Sequence, residues 1–226
     1  MEIVKASIWK TPYIGAYSKV FGDNAVVNKN TPQGFLGRII DVLKVKSIAI
    51  TNIAGVHAIS SMIAANSEFI IVPDTVEDEE LEELKKLGKE ILIIDSKIKA
   101  WGNMMLLSDK GVLFSPRVPK HDAEKIIDLL NIDYDFSVLA NYTSIGALAV
   151  IGGGICFVSK LLNENEKNLI EDLLKLKTHA VSVNNGLMFI RLGMLVNTNG
   201  ILVGESTTGA ELMDISLAVS STRVFK

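Results

Sequence analysis

The stretch Glu68-Phe69-Ile70-Ile71, one turn residue followed by three apolar residues, decides the fold because it recurs four more times along the chain. The other copies are Asn24-Ala25-Val26-Val27, Gly111-Val112-Leu113-Phe114, Gly154-Ile155-Cys156-Phe157 and Gly200-Ile201-Leu202-Val203. Successive copies begin 44, 43, 43 and 46 residues apart. Short apolar runs bounded by turn residues are typical of buried strands, so this spacing predicts five structural repeats.

A helix is predicted after each of these strands. In the second copy, acidic residues 77–80 precede leucines at helical spacing, and Gly88 ends the pattern. Pairs with the spacing of a capping box open the fourth and fifth helices, namely Asn163 with Glu166 and Thr208 with Glu211. The acidic run 77–83 is interpreted as a solvated helix face.

A further strand is predicted after four of the helices, starting near Ile48, Ile91, Phe136 and Ala180. The fifth helix has no such strand behind it, whereas an extra strand, residues 3–8, precedes the first copy. An open stack would leave strand edges bare, and the blades of an ordinary propeller contain no helix. The sequence therefore predicts a closed ring of five units, with strands inside, helices outside and the N-terminal strand completing the fifth unit.

The predicted fold class is α+β: five strand-strand-helix-strand units in one domain over residues 1–226. The repeats cover approximately residues 9–52, 53–97, 98–140, 141–184 and 185–226.

Composition and charge limit the classes of function that the chain can have. With 23 basic against 26 acidic residues, the net charge of −3 provides no generic attraction to nucleic acid. A single cysteine, an N-terminus without a signal segment, and no apolar run of the ~20 residues that a membrane span requires together predict a cytoplasmic protein without membrane contact.

The segments that lead from one predicted repeat to the next are rich in Asn and aromatic residues. If the repeat is correct, they gather at one end of the ring and form a neutral surface suited to recognition. The alternative is that Asn and Gly simply form turns. The aromatic side chains of Tyr13, Trp101 and Tyr142 favour recognition.

No catalytic or metal-binding set is predicted. Cys156 lies between apolar residues of a buried strand with no charge nearby that would lower its pKa. The histidines, His57, His121 and His179, fall in three different repeats without the paired spacing of metal ligands. We therefore expect no metal and no cofactor.

The residues resemble those of a known family, the archaeal and eukaryotic ribosome anti-association factor called translation initiation factor six. The resemblance covers the whole chain and is most specific in Gly193-Met194-Leu195-Val196-Asn197, followed by Thr207-Thr208 and Glu211-Leu212. Further matches are Ile53-Ala54-Gly55 with Asn66, Val72-Pro73, and Gly102-Asn103.

The resemblance implies a pentein ring, a five-fold pseudosymmetric α/β propeller, that is not an enzyme and is monomeric when free. It implies binding to the intersubunit face of the large (50S) ribosomal subunit, where the ring sterically prevents joining of the small subunit. The implied partners are ribosomal proteins uL14 and L24e and the sarcin-ricin loop of the large rRNA. The Gly102-Asn103 pair matches the family's subunit contact, and repeat symmetry extends the expected contact to Tyr13, Gly15, His57, Ser144 and Gly146.

The sequence is also compatible with two other functions. The same ring is used by guanidine-modifying hydrolases and transferases, in which Cys, His and acidic residues converge on the central channel. A scaffold ring without ribosome contact is the other alternative. For the ribosome-binding interpretation, we expect Asn103→Ala to weaken subunit binding with little change in melting temperature, as for a loop side chain.

Overall fold

The structure, a computed structural model that describes residues 1–223, contains five three-stranded sheets in that part of the chain. In each sheet the first strand runs antiparallel to the middle strand, and the middle strand runs parallel to the third. The strands are β1 (Glu2–Ala6), β2 (Ser18–Phe21), β3 (Asn24–Val27), β4 (Ser47–Ile50), β5 (Ala64–Ala65), β6 (Phe69–Pro73), β7 (Glu90–Ile94), β8 (Met105–Leu107), β9 (Gly111–Phe114), β10 (Asp133–Phe136), β11 (Ala149–Gly152), β12 (Ile155–Ser159), β13 (Lys177–Val181), β14 (Met194–Val196) and β15 (Gly200–Gly204).

Each middle strand is the predicted apolar stretch, and each is followed by a helix. The long helices are α1 (Gln33–Leu43), α3 (Asp78–Lys85), α5 (Lys120–Leu130), α6 (Glu164–Leu174) and α7 (Gly209–Arg223). Two single-turn helices, α2 (Ile59–Met62) and α4 (Trp101–Met104), precede the second and third sheets. The long helices bury one side and expose the other, as α1 does with Phe35, Ile39, Val42 and Leu43. None of the helices in the described part of the chain has the length and apolarity that crossing a membrane requires.

The N-terminal strand completes the fifth sheet, as predicted. β1 pairs in parallel with β15 from Glu2 opposite Gly200 to Ala6 opposite Gly204. This is the position that a strand after the preceding helix occupies in each of the other sheets.

The hydrophobic core shows that the ring is closed. It is divided into five clusters, each formed by two neighbouring sheets. One of them joins the fifth sheet to the first, with Leu195 and Leu202 beside Val20, Ala25 and Val27. Every sheet therefore has a partner on both sides, which removes the exposed end units of an open stack.

Two predicted strands begin earlier than expected. The fourth post-helix strand, β13, starts at Lys177, and Ala180 is its fourth residue, so the expected start near Ala180 was wrong. The third post-helix strand, β10, starts at Asp133, and Phe136 is its last residue rather than its first. Asp133, Tyr134 and Asp135 are exposed, so their side chains carry no apolar signal, and backbone pairing with β9 defines the strand. The expectation of a start near Phe136 was therefore wrong.

The two ends of the ring differ in their connections. At one end, which we call the hairpin face, tight turns join the first and middle strand of each sheet, for example at residues 22–23 and 153–154. The other end, the loop face, carries the connections from one sheet to the next, at residues 7–13, 51–58, 95–100, 137–144 and 182–189.

Candidate interaction face

Left-handed turns shape the loop face. Isolated bridges close four of its connections, pairing Ile8 with Thr11, Ile53 with Val56, Leu139 with Tyr142 and Val183 with Leu187. Each turn contains consecutive residues with positive φ, such as Ala140 at 48° and Asn141 at 64°. This backbone is uncommon for residues other than Gly, so these turns are held by their surroundings.

Carboxylates hold three of these turns, two of them buried (Glu80 and Glu211) and one half-buried (Glu166). Glu80 accepts hydrogen bonds from the Ala54 and Gly55 amides at 2.6 and 2.9 Å. Glu166 accepts from Ala140 at 2.7 Å. Each acid is the third residue of its helix and also caps that helix, so one side chain ties the helix to the turn. The interpretation of run 77–83 as a solvated face was therefore wrong for Glu80, which is buried.

Glu211 does the same for the fifth unit. Its carboxylate accepts from the amides of Asn185 at 3.0 Å, Gly186 at 2.8 Å and Thr208 at 2.8 Å. Burial would raise the pKa of Glu211, but these bonds, together with one from the Ser182 hydroxyl, hold the pKa at about 2. The turn is therefore held by a carboxylate that stays ionised at neutral pH.

An arc of exposed side chains runs over three adjacent connections of the loop face. We call Trp9, Tyr13, Tyr142 and Met188 the aromatic arc; they are between 38% and 44% exposed. The Tyr142 ring makes an edge contact with Phe189 at 5.2 Å between ring centroids. Trp9 is held in the same way by Tyr17 at 4.8 Å. These neighbours fix the rings of Trp9 and Tyr142 before any partner binds.

A hydrogen bond joins the two parts of the arc. The Asn184 side-chain amide donates to the Pro12 carbonyl at 2.9 Å, so the connection that carries Met188 is fastened to the one that carries Tyr13. The arc thus spans the closing point of the ring on connections that are fastened to each other.

The part of the loop face around His57 is polar, although Val56 and Val138 are also exposed on this face. His57, a predicted site residue, is exposed, and its Nδ1 lies 2.9 Å from the Asn28 side-chain nitrogen. Beside it, Glu77, Glu79 and Glu83 line an acidic groove. The surroundings of His57 are therefore polar and acidic, whereas the aromatic arc is apolar.

A circle of short inner turns closes the centre of the ring below the loop face. These inner turns are residues 14–16, α2, α4 and the 3-10 turns Ile145–Leu148 and Ile190–Gly193. Each begins with a fully buried apolar residue: Ile14, Ile59, Trp101, Ile145 and Ile190. Hydrogen bonds join neighbours, such as that from the Gly15 amide to the Leu192 carbonyl at 2.9 Å.

Three predicted site residues, Gly15, Gly102 and Gly146, occupy the second position of these inner turns. A Cβ atom on Gly102 would lie 2.0 Å from the Ser60 carbonyl oxygen, and one on Gly146 the same distance from the Gly102 oxygen. On Gly15 it would lie 1.9 Å from the Arg191 oxygen. These glycines are buried, and close packing between units accounts for them. Ser144, half-buried, directly precedes the fourth inner turn.

The fifth inner turn has Arg191 where the others have Gly or Ser. Its side chain crosses the centre of the ring and is 6% exposed. Nη1 donates to the Gly102 carbonyl at 2.6 Å, and Nη2 donates to the Asn103 side-chain oxygen at 2.8 Å. Asn103 is therefore part of a helical turn and binds a buried guanidinium. Burial lowers the pKa of Arg191 to about 9.

Arg191, Glu80 and Met188 were missed by the sequence analysis. Arg191 could have been found by aligning the five units, because it stands at the position of Gly15, Ser60, Gly102 and Gly146. Glu80 has the same helix position as Glu166 and Glu211. Met188 carries no signal of its own, since its exposure depends on the turn.

Cys156 is buried in β12, and burial raises the pKa of its thiol to about 12, with a further contribution from Glu171. Such a thiol is a poor nucleophile at neutral pH. Within residues 1–223, no three His, Cys, Asp or Glu side chains are grouped as a metal site would require.

Comparison with known proteins gives a consistent result. Residues 3–218 match the model of the eIF-6 family. The chain is 31% identical to translation initiation factor 6 of Staphylothermus marinus, with 97% of this chain and 98% of that protein covered. It is 29% identical to translation initiation factor 6 of Thermococcus onnurineus, with the same coverage.

Among solved structures, an agmatine deiminase from C. jejuni matches at a TM-score of 0.40 and 13% identity, covering 55% of this chain and 49% of that one. This similarity is too weak to inform the function.

Proposed function

The chain belongs to the eIF-6 family, and on that premise we propose that it binds the large ribosomal subunit at its intersubunit face and prevents association with the small subunit. The observation that carries this proposal is the aromatic arc, a set of exposed side chains on one end of a closed ring. Aromatic and Met side chains are enriched at the centres of protein interfaces, where they supply most of the binding energy.

The rigidity of the loop face supports docking. Glu80, Glu166 and Glu211 hold three connections through backbone amides, and ring contacts hold Trp9 and Tyr142. A surface ordered before binding loses little conformational entropy on association. A closed ring with five buried interfaces also resists deformation, as a steric block between two subunits must.

We propose that the contact is mainly with protein, with uL14 as the principal partner and with L24e and the sarcin-ricin loop nearby. Arg is the preferred partner for phosphate, and the sequence contains only four arginines. Arg191 is buried and cannot reach an rRNA backbone from the loop face. The arc itself offers apolar and aromatic surface, which fits a protein partner.

The predicted site residues then have different roles. Tyr13 belongs to the arc and contacts the partner directly, whereas His57 and Ser144 lie beside it. Gly15, Gly102 and Gly146 act through the shape of the inner turns because they are buried. Asn103 acts through Arg191, whose guanidinium it positions.

The guanidine-modifying alternative is disfavoured by charge. A cationic guanidine substrate would enter the central cavity, which is lined by Lys19 and Arg191. Like charges in a weakly solvated site repel strongly. Cys156 also has a raised pKa, the opposite of an activated nucleophile.

The test is sedimentation of the purified chain with separated ribosomal subunits from its own organism. We expect the chain to travel with the large subunit alone and to reduce the yield of joined ribosomes when small subunits are added. An intact, folded chain that stays at the top of the gradient at low and moderate salt would overturn the proposal.

A further inference from the structure

The centre of the ring contains a cavity of about 340 Å³ that opens on the hairpin face. Its mouth is formed by hairpin turns, including residues 66–67, 108–110 and 152–154, and Arg191 lies among its lining residues. The walls are largely apolar, with Ala65, Leu106 and Ile151 among them. The volume falls in the lower part of the range found for small-molecule pockets.

Two cationic side chains face this cavity without a carboxylate. Arg191 Nη1 and Nη2 bind neutral oxygens, and its Nε is buried without a hydrogen-bond partner. Lys19 on β2 has no carboxylate within 4 Å among the described residues. The other charged lining residues, Asp109, Lys110 and Lys175, are exposed. The Asp109 carboxylate is already bound by the Ser67 amide at 2.8 Å.

Both cations are exceptions to the repeat. At the strand register of Lys19, the other sheets have Ala65, Leu106, Ile151 and Leu195. At the inner-turn position of Arg191, the other units have Gly or Ser. An apolar residue at the first position and a small one at the second satisfy the fold in the other units, so the repeat requires no charge at either position, although Arg191 also joins two inner turns through Gly102 and Asn103.

The charges of Arg191 and Lys19 destabilise the protein when no anion is bound. An ionised group that is removed from water without a counter-charge destabilises the folded state. Burial lowers the pKa of Lys19 to about 7, and repulsion from Arg191 adds to this shift. An anion in the cavity would relieve both effects.

We propose that the central cavity binds a small organic anion, whose carboxylate or phosphate group pairs with Arg191 and Lys19 while its apolar body contacts the cavity walls. This inference is independent of the proposed ribosome contact, which we assign to the opposite face.

The proposal is tested on the full chain by calorimetric titration at fixed ionic strength with three probes: inorganic phosphate, acetate and hexanoate. We expect saturable binding, with hexanoate tighter than acetate because of the apolar wall. Binding at pH 7.5 should also take up protons, since an anion raises the pKa of Lys19. Proton uptake is read by repeating the titration in buffers with different ionisation enthalpies. Preference for phosphate over both carboxylates would identify a phosphate ligand.

Two variants make the test specific. Lys19→Met should weaken binding by about tenfold or more, the loss expected for one charge-assisted contact, and should abolish proton uptake. Lys5→Met, an exposed lysine on β1, should leave both unchanged. Without anion, Lys19→Met should melt higher than the wild type, because a half-buried charge without a counter-charge is removed. Absence of binding by all three probes, or equal binding and proton uptake in Lys19→Met and the wild type, would overturn the proposal.

Discussion

The two faces of the ring are built from the same repeated unit, yet they differ in what they expose. The loop face is closed at its centre by the inner turns and Arg191, and it presents the aromatic arc. The hairpin face is open at its centre and leads into a basic cavity. Its turns are held by side chains such as Asn197, which donates to the Leu43 carbonyl at 2.6 Å.

The comparison shows that the residues shared by all five units build the ring, whereas residues that differ in one unit form the candidate sites. Arg191 replaces a small residue, and Lys19 replaces an apolar one. Phe35 stands at the helix position where Glu80, Glu166 and Glu211 hold turns, so the first connection, with Trp9 and Tyr13, lacks that acid. Each face thus owes its chemistry to positions at which one unit differs from the others.

The largest expected effect tests the ring that both faces share. Deletion of residues 1–6 removes β1, leaves the edge of β15 unpaired and strips part of a core cluster. We expect a loss of unfolding free energy of several kcal/mol, well above the ~1 kcal/mol of a typical substitution. Calorimetry of the truncated chain checks this. A melting transition like that of the full chain would show that closure does not stabilise the ring.

Gly102→Ala should have the next largest effect, at the closed centre of the loop face. The new methyl group would lie 2.0 Å from the Ser60 carbonyl oxygen, which is main chain and cannot move without shifting its unit. We expect a loss of about 3 kcal/mol or more in urea unfolding. The matched control is Gly37→Ala in α1, where no atom lies within 4 Å. It should stabilise the chain by about 0.5–1 kcal/mol.

Protonation of Glu211 at low pH should destabilise the turn that its carboxylate holds on the loop face. Its folded pKa of about 2 is below the ordinary value of 4.5, so its contribution is complete above about pH 4.5 and is lost as pH falls through about 2. We expect Glu211→Gln to melt below the wild type at pH 7, with the gap narrowing towards pH 2. A gap that stays constant across this range would mean that the ionised carboxylate does not hold the turn.

Asn103→Ala should have a smaller effect on stability, but a measurable one. The substitution removes the acceptor of Arg191 Nη2 and leaves a buried guanidinium with one fewer partner. We expect a loss of about 1–3 kcal/mol, in contrast to the unchanged melting temperature expected from sequence. Asn30→Ala, an exposed control, should stay within about 0.5 kcal/mol. Equal melting temperatures for both variants would mean that Asn103 contributes little to stability, as the sequence predicted for a loop side chain.

Much of the fold could be predicted because its signals are local. Ile70 and Ile71 lie in a strand buried on both sides, which produces a short unbroken apolar run. Asn163 and Glu166 form a capping box, with reciprocal hydrogen bonds, that marks the start of α6. β10 begins earlier than predicted because its first residues, Asp133 to Asp135, are exposed and joined by backbone alone.

The site was harder to predict because its geometry depends on ring closure. Gly102 and Arg191 are 89 positions apart in sequence and meet only across the centre of the ring. Glu80 lies within an acidic run, and sequence cannot tell which of those carboxylates turns inward to the Ala54 amide. Tyr13, Trp101 and Tyr142 were singled out for their aromatic character, but Trp101 is fully buried, so its predicted role in recognition was wrong. The two tyrosines lie in one arc because Asn184 contacts Pro12.

The central claim is that the loop face, through the aromatic arc, docks on the large ribosomal subunit. The most direct measurement is the affinity of three variants for purified large subunits. Trp9→Ala combined with Tyr142→Ala should bind at least about tenfold more weakly, whereas Tyr134→Ala, an exposed tyrosine on β10, and Lys110→Ala on the hairpin face should bind like the wild type. Undiminished binding by the double variant, with loss of binding in Lys110→Ala, would contradict the account and move the docking surface to the opposite end of the ring.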